Sequence, residues 1–238
     1  MKLFKFLLNF LSLAYKKKVF KNYFYSFGGI DALVCRIFNT QKKGIYIDVG
    51  AQHPIRNNNT YLLHKKGWSG INIDLDKKNI DLFNIDRRGD ENVRAAISSS
   101  FKKMDLYFYH DKSPINTLSK SVANFQNADI KEIRSVDTKT LNSIIENSQY
   151  KNSKIDFLSI DVEGLELEVL KGFDISLYKP KIIVIEYLDL SLKKLEIKNL
   201  NIDNITNSSV YHFMKNNNYI LINWIHSDLV FAHKDYRD

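Results

Sequence analysis

Four carboxylates stand at or beside the ends of four short apolar runs, an arrangement suited to a ligand crevice above a parallel sheet. Asp48 lies in the run 44–49, just ahead of Gly50-Ala51. Asp74 follows the run 70–73 and comes 24 residues after Gly50. Asp161 closes the run 155–160, and Glu186 closes the run 181–185. Short runs that are apolar almost throughout belong to strands buried on both faces. Such strands, each delivering an acid to the same end, imply an open α/β sheet whose ligand sits above the strand tips. An acid about 20 residues beyond a glycine turn is the usual partner of a ribose hydroxyl pair. The chemistry is that of a nucleoside-bearing cofactor.

The glycine turn narrows the cofactor. A dinucleotide site needs further glycines so that the backbone can approach a pyrophosphate; here Gln52 and Ile55 hold those positions, and no GxxxxGK sequence occurs. A cofactor without phosphates needs one close approach, which Gly50 and Ala51 can supply. S-adenosylmethionine meets that condition. Asp74 would take its ribose hydroxyls, and Asp48 would face its methionine portion or hold the turn.

Methyl transfer from a sulfonium is an in-line displacement, so the protein mainly aligns the partners and removes a proton from the acceptor. Asp161 and Glu163 are two apart and face the same way on an extended segment. One of them, or Glu186 on the adjoining strand, can receive the acceptor proton. Asp161 with Glu186 also offers the hard oxygen ligands that Mg²⁺ requires, and a metal pair and a proton-accepting pair both remain open. Capping the helix that opens near Gly164 is the structural alternative for Asp161 and Glu163. His53, directly after the turn, is a further candidate base near neutral pH. Asn116 and Thr117 can reach a polar acceptor, Asp76 caps a helix, and Glu166 and Glu168 read as helix surface.

These residues need a sheet and covering helices to hold them. The pattern predicts helices over 27–38, 60–66, 76–87, 141–146, from Gly164 to Gly172, and over 210–216. A third strand is expected over 93–97 and an extra one over 104–109. Residues 110–131 read as a polar connection of the kind that often serves a substrate. The runs 219–224 and 229–233 form a terminal antiparallel hairpin around His226-Ser227-Asp228. The expected fold is α/β, Rossmann-like and mostly parallel, with a C-terminal antiparallel hairpin, in one domain spanning 26–238.

Composition sets bounds on partners. A chain of 238 residues with 44% hydrophobic content suits one such domain, and a mean hydropathy of −0.30 argues against a polytopic membrane protein. The single cysteine, Cys35, rules out an internal disulfide and fits a reducing, cytoplasmic setting. The net charge is +8, yet Lys2, Lys5, Lys16, Lys17, Lys18 and Lys21 concentrate it at the amino end. A domain that grips a phosphate backbone would carry the basic stripe itself, so no nucleic-acid partner is expected. Residues 1–25 form a basic amphipathic segment too short in its apolar stretch to span a bilayer. It reads either as a helix packed on the domain or as one lying on anionic lipid at the inner membrane face.

Three segments resemble the FkbM family of S-adenosylmethionine-dependent methyltransferases. They are GIYIDVGAQHP (44–54) continuing to GWSGINID (67–74), AAIS (95–98), and DFLSIDVEGLELEVLKG (156–172) followed by PKIIVIE (180–186). The resemblance covers about residues 26–233. It implies a class I methyltransferase fold, Ala96 beside the cofactor, and O-methylation of a sugar hydroxyl in a glycan or its precursor. The family's common glycine after the Gly-Ala pair is replaced by His53-Pro54, as in a subgroup associated with surface-polysaccharide pathways. Two other readings stand beside it: an NAD- or nucleotide-sugar-dependent enzyme on a similar sheet, which the missing glycines oppose, and a non-catalytic membrane- or partner-binding module.

Overall fold

The computed structural model describes Leu11 and residues 24–126, 128–191 and 201–236. The expectation for residues 1–25 therefore falls outside the described residues, apart from Leu11, Phe24 and Tyr25. Among the described residues no helix is long and apolar enough to cross a membrane.

The central strand is β1 (Ile45–Val49). It pairs in parallel with β2 (Ser69–Asp74) on one side and β7 (Phe157–Ile160) on the other. Outward from β2 lies parallel β3 (Glu91–Arg94), and outward from β7 lies parallel β8 (Ile182–Glu186). The terminal hairpin of β9 (Tyr219–Ile225) and β10 (Asp228–His233) folds back so that antiparallel β10 inserts between β8 and β9. The order is β3-β2-β1-β7-β8-β10-β9. Successive strands are added toward β3 on one side of β1 and toward β8 on the other, so the strand order reverses between β1 and β7, and such a switch point leaves a crevice above the carboxyl ends.

Alternation along each strand feeds two core layers. Ile47, Ile71, Leu158, Ile183 and Phe231 pack on one face with Leu141, Val169 and Met214 from three helices. Tyr46, Phe157, Ile182, Val184 and Val230 pack on the other, under Trp68 and the helix Ile30–Ile37. That helix buries Ile30, Val34 and Cys35 at helical spacing, so Cys35 is a free core thiol. Fully burying an aliphatic side chain of this kind contributes about 1.5–3 kcal/mol.

Two expectations change. The strand expected over 93–97 is divided. The Ala95 amide still bonds the Asp74 carbonyl at 3.1 Å, but β2 ends there because Asp76 turns away to cap the helix Lys77–Asp86. Residues beyond Ala95 thus lose their neighbour, and β4 (Ala96–Ile97) joins a second sheet in the order β4-β6-β5, with β5 (Lys103–Phe108) and β6 (Glu132–Lys139). The connection 110–131 also has structure of its own. It contains the helix Lys120–Phe125, capped by Ser119, and a bridge from Thr117 to Tyr107. Gly172, read as a helix C-cap, is one, but its φ is −86°. A Cβ there would lie 2.4 Å from the Ser98 carbonyl oxygen, so close packing accounts for the glycine.

Arg87, at the end of the helix Lys77–Asp86, is fully buried. Its guanidinium donates to Thr60 Oγ1 and Asn58 Oδ1 at 2.7 Å, to Asn72 Oδ1 at 3.2 Å, to Tyr46 Oη at 3.3 Å and to the Pro54 carbonyl. It thereby ties β1, β2 and the loop 54–60 together. Replacing it by methionine strands these acceptors beside the buried Asp48. We expect Arg87→Met to lower stability by about 3–5 kcal/mol, read as a shifted urea midpoint; a loss under 1 kcal/mol would show that the network is dispensable.

Candidate active site

The turn after β1 is built by backbone contacts. The amides of Gly50 and Ala51 both donate to the Ile73 carbonyl, at 2.9 and 3.0 Å. Gly50 has φ +83°, and a Cβ on it would sit 1.6 Å from the Asp161 carbonyl oxygen. The glycine is demanded by the meeting of the β1 and β7 ends; the sequence alone suggested only an approach to a ligand.

Asp74 organises the same corner. One carboxylate oxygen accepts from the Gln52 amide at 2.9 Å. The other accepts from the Asp76 amide at 2.7 Å and from Asn79 Nδ2 at 3.2 Å. A carboxylate has about four acceptor positions, so Asp74 keeps room for a further donor. Burial pushes its pKa up to about 6 against the hydrogen bonds that lower it.

Gly50, Asp74, Ala96, Asp161 and Glu163 all line one cleft of about 330 Å³, a volume in the range of small-molecule sites. Leu106, Phe108 and Val136 of the second sheet close its far wall, and the loop 113–118 forms a rim. Asn116 and Thr117 act within that loop. Asn116 bonds the Tyr109 amide and the His110 carbonyl, and Thr117 Oγ1 donates to the Glu163 carbonyl at 2.7 Å.

Beyond Gly50 the acids converge. Asp161, Glu163 and Glu186 place a carboxylate oxygen each within 4.8 Å of one another. Glu163 sits in the left-handed region at φ +57°, and Glu186 Oε2 is buried without a partner among the described residues. Burial raises Asp161, and a hydrogen bond with Glu186 works to lower it; burial and the charges of Asp161, Glu163 and Glu166 raise Glu186 well above the carboxylate range. The hydrogen bond between the two works to lower Asp161 and to raise Glu186. Burial, then Asp161 and Glu166, push Glu163 up to about 8, and burial with Asp161 pushes Asp228 to about 7.

Two candidate residues are turned elsewhere. Asp48 is buried and accepts from Asn58 Nδ2 at 3.0 Å and Thr60 Oγ1 at 2.9 Å, which directs it into the loop 58–60 beside Arg87, away from the cleft. Of the two roles read for it, the structure displays the holding of the turn. His53 also does not line the cleft. Its Nδ1 accepts from the Ile55 and Arg56 amides, each at 3.1 Å. Those bonds favour the tautomer whose Nε2 carries the hydrogen, leaving no free lone pair for a base. Burial and nearby Arg56 and Lys112 lower its pKa further.

Glu166, read as helix surface, is buried. Its Oε1 accepts from the Gly164 amide at 2.8 Å and the Val162 amide at 3.2 Å. It holds the turn that presents Asp161 and Glu163, and burial lifts it to about 7. The capping-box habit of a glutamate reaching back to free amides was the available signal. Asp228 had none, because only the hairpin brings it opposite Glu186.

Residues 48–221 match the methyltransferase FkbM domain, a span that begins at Asp48 and takes in the turn, Asp74 and the acid cluster. The chain belongs to the FkbM methyltransferase family. Membership sets aside the NAD- or nucleotide-sugar-dependent enzyme and the non-catalytic module. No curated protein matches it in sequence. Among solved structures it is similar to a TehB-like S-adenosylmethionine-dependent methyltransferase from Corynebacterium glutamicum, at 13% identity and TM-score 0.43 over 95% of this chain and 97% of that one. It is also similar to a precorrin-6y C5,15-methyltransferase from Geobacter metallireducens, at 8% identity and TM-score 0.39 over 84% of each chain. These likenesses are too loose to carry residue roles across.

The acid cluster of this FkbM chain makes its stability depend on pH with a definite sign. Asp74, Glu166, Asp228 and Glu163 have folded values of about 6, 7, 7 and 8, against about 4 in an unfolded chain. Between these limits the folded state holds protons that the unfolded state has released, so the acids' contribution falls as pH rises through the window. Glu163→Gln stays neutral throughout. Its melting temperature should exceed that of wild type at about pH 8.5 and show little gain at about pH 5. Calorimetry showing equal shifts at both would place Glu163 at an ordinary carboxylate value.

Proposed function

We propose that the protein is an S-adenosylmethionine-dependent O-methyltransferase that methylates a sugar hydroxyl, in the making of a glycan or surface polysaccharide. The observation that carries this reading is the convergence of Asp161, Glu163 and Glu186 next to the cleft that holds Gly50 and Asp74. The cofactor fits the residues present. Asp74 keeps an acceptor position for a ribose hydroxyl, the turn has no pyrophosphate cradle, and the acids suit a cationic neighbour. Bound there, S-adenosylmethionine would supply a methyl group already activated for displacement.

The chain's own residues would do the remainder. Asp161, at the tip of β7, accepts the hydroxyl proton as the oxygen acquires its methyl group. Glu186, through its hydrogen bond, fixes the Asp161 carboxylate. Glu163, with its raised pKa, adds proton affinity at the same place, as a general base working near neutrality requires. Repulsion from so many acids disfavours phosphate- or carboxylate-bearing groups at the reacting position, which supports a neutral hydroxyl there. The three converging oxygens favour one second reading, a divalent cation offsetting the repulsion.

S-adenosylmethionine and S-adenosylhomocysteine should each raise the melting temperature, because a ligand bound only by the native state stabilises it. Asp74→Ala should weaken both by about tenfold or more, the loss of a charged acceptor being worth about 1.5–3 kcal/mol; unchanged affinity would remove Asp74 from the cofactor site.

Asp161→Asn should slow turnover about 10²–10⁴-fold, the range for a positioned base, with the cofactor still bound. Loss of activity to a chelator, restored by Mg²⁺, would favour the cation. Near wild-type rates for both Asp161→Asn and Glu186→Gln would make the cluster structural.

A further inference from the structure

S-adenosylmethionine carries a carboxylate at its methionine end, and the turn after β1 has no amide left to receive it. The Gly50 and Ala51 amides bond the Ile73 carbonyl, and the Gln52 amide bonds Asp74 Oδ2 at 2.9 Å. The His53 amide turns back to the Ala51 carbonyl at 2.6 Å. Pro54 has no N–H, and His53 Nδ1 takes the Ile55 and Arg56 amides. On the β7 side the Asp161 amide bonds the Val49 carbonyl, and the Val162 and Gly164 amides bond Glu166. A loop that binds an anion through its backbone leaves such groups pointing outward. This turn has spent them on its own fold.

A side-chain donor stands at that end instead. The half-buried Gln52 lines the cleft with Gly50 and Asp74, and among the described residues its side-chain amide has no hydrogen-bond partner. Its backbone is strained. The bond from His53 back to Ala51 closes a three-residue turn centred on Gln52, whose φ is +50°. A γ-turn with positive φ at its centre is the rare, costly form, and glutamine lacks the freedom with which glycine would adopt it. Strain of this kind clusters at ligand clamps. The cations that border the cleft lie elsewhere. Arg94 is the outer-strand neighbour of Asp74, while Lys77, Lys78 and Arg134 each pair with an acid. Asp161 and Glu163 would repel a carboxylate.

We propose that Gln52 recognises the carboxylate of the cofactor, its Nε2 donating the hydrogen bond that the backbone of the turn cannot. The inference rests on the S-adenosylmethionine reading above and gives the methionine end a partner, a place for which the sequence offered Asp48. Recognition by a neutral amide is worth one hydrogen bond to a charged acceptor, with no ion pair. It also gives a reason for a side chain at a position where glycine would fold with less strain.

Binding alone tests this. The full-length protein and its Gln52→Gly and Gln52→Glu variants would be titrated calorimetrically with three ligands. S-adenosylhomocysteine has the whole methionine end, S-adenosyl-3-thiopropylamine keeps the ammonium but lacks the carboxylate, and 5′-methylthioadenosine lacks both. Wild type should bind S-adenosylhomocysteine about tenfold more tightly than the thiopropylamine, the scale of one hydrogen bond to a charged group. Gln52→Gly should close that gap and leave the affinity for methylthioadenosine unchanged. It should melt no lower than wild type, because glycine adopts the turn freely. Gln52→Glu has the same shape but sets a negative charge against the carboxylate, so it should invert the preference and bind the thiopropylamine more tightly. A gap that survives in both variants, or equal weakening of all three ligands, would overturn the assignment. Failure of wild type to bind any of the three would sink the cofactor reading itself, and this assignment with it.

Discussion

The cofactor half of the fold depends on a single buried cation. Arg87 has no access to solvent, so its charge must be offset from within; both terminal nitrogens find acceptors, while Nε has none among the described residues. Acceptors from β1, β2 and the loop 54–60 surround the guanidinium, and the Tyr46, Tyr61 and Phe83 rings lie 5.9, 5.6 and 5.1 Å from it. Buried Asp48 supplies charge from one side. Asp90, bonded to Tyr46, Gly70 and Asn72, binds the same strands on the other. Such a group adds little net stability compared with an apolar core, but breaking it is costly. Its effect is positional: the end of β1, and hence Gly50, is held where β7 can meet it.

Across that meeting point the balance of charge inverts. Over β7, β8 and β10 lie Asp161, Glu163, Glu166, Glu186 and Asp228; burial raises every one of them, and the nearby Asp161 raises the other four further. Glu166 is compensated by two amides and Asp161 by Glu186; Glu186 Oε2 and the far side of Glu163 are left poor in partners. A core under selection for stability alone would not collect acids in this way. Clusters with strongly shifted pKa values belong to reaction sites more often than to scaffolding. Arg87 holds the frame, and the acids it helps to position are the groups to which the proposed proton transfer is assigned.

The candidate site was partly readable from residue order. Asp74 and Gly50 were recognisable from their spacing and Asp161, Glu163 and Glu186 from their strand ends, and all five lie at or beside the cleft. Asp48 and His53 had equally good positions in the chain and are turned elsewhere, because Thr60, Asn58 and two loop amides take up their polar atoms. Glu166 looked like helix surface because a helix of one and a half turns says little about which side faces in. Arg87 gave no signal at all: a lone arginine at a helix end is ordinarily solvated. The expected strand over 93–97 broke at Ala95, since hydrophobic pattern records burial without saying which neighbour provides it.

The sequence by itself determined the parallel sheet, the carboxyl-end crevice, the antiparallel hairpin and the FkbM motif, because these follow from local runs, period and spacing. Tertiary structure alone decided which acids converge, that Gly50 makes room for the Asp161 carbonyl, that Asp228 and Trp224 extend the row of strand tips, and that a second small sheet walls the cleft. Those features depend on contacts between residues far apart in the chain. A side chain's chemistry is set by the groups packed against it, and nothing in residue order states where a neighbour a hundred positions away will lie.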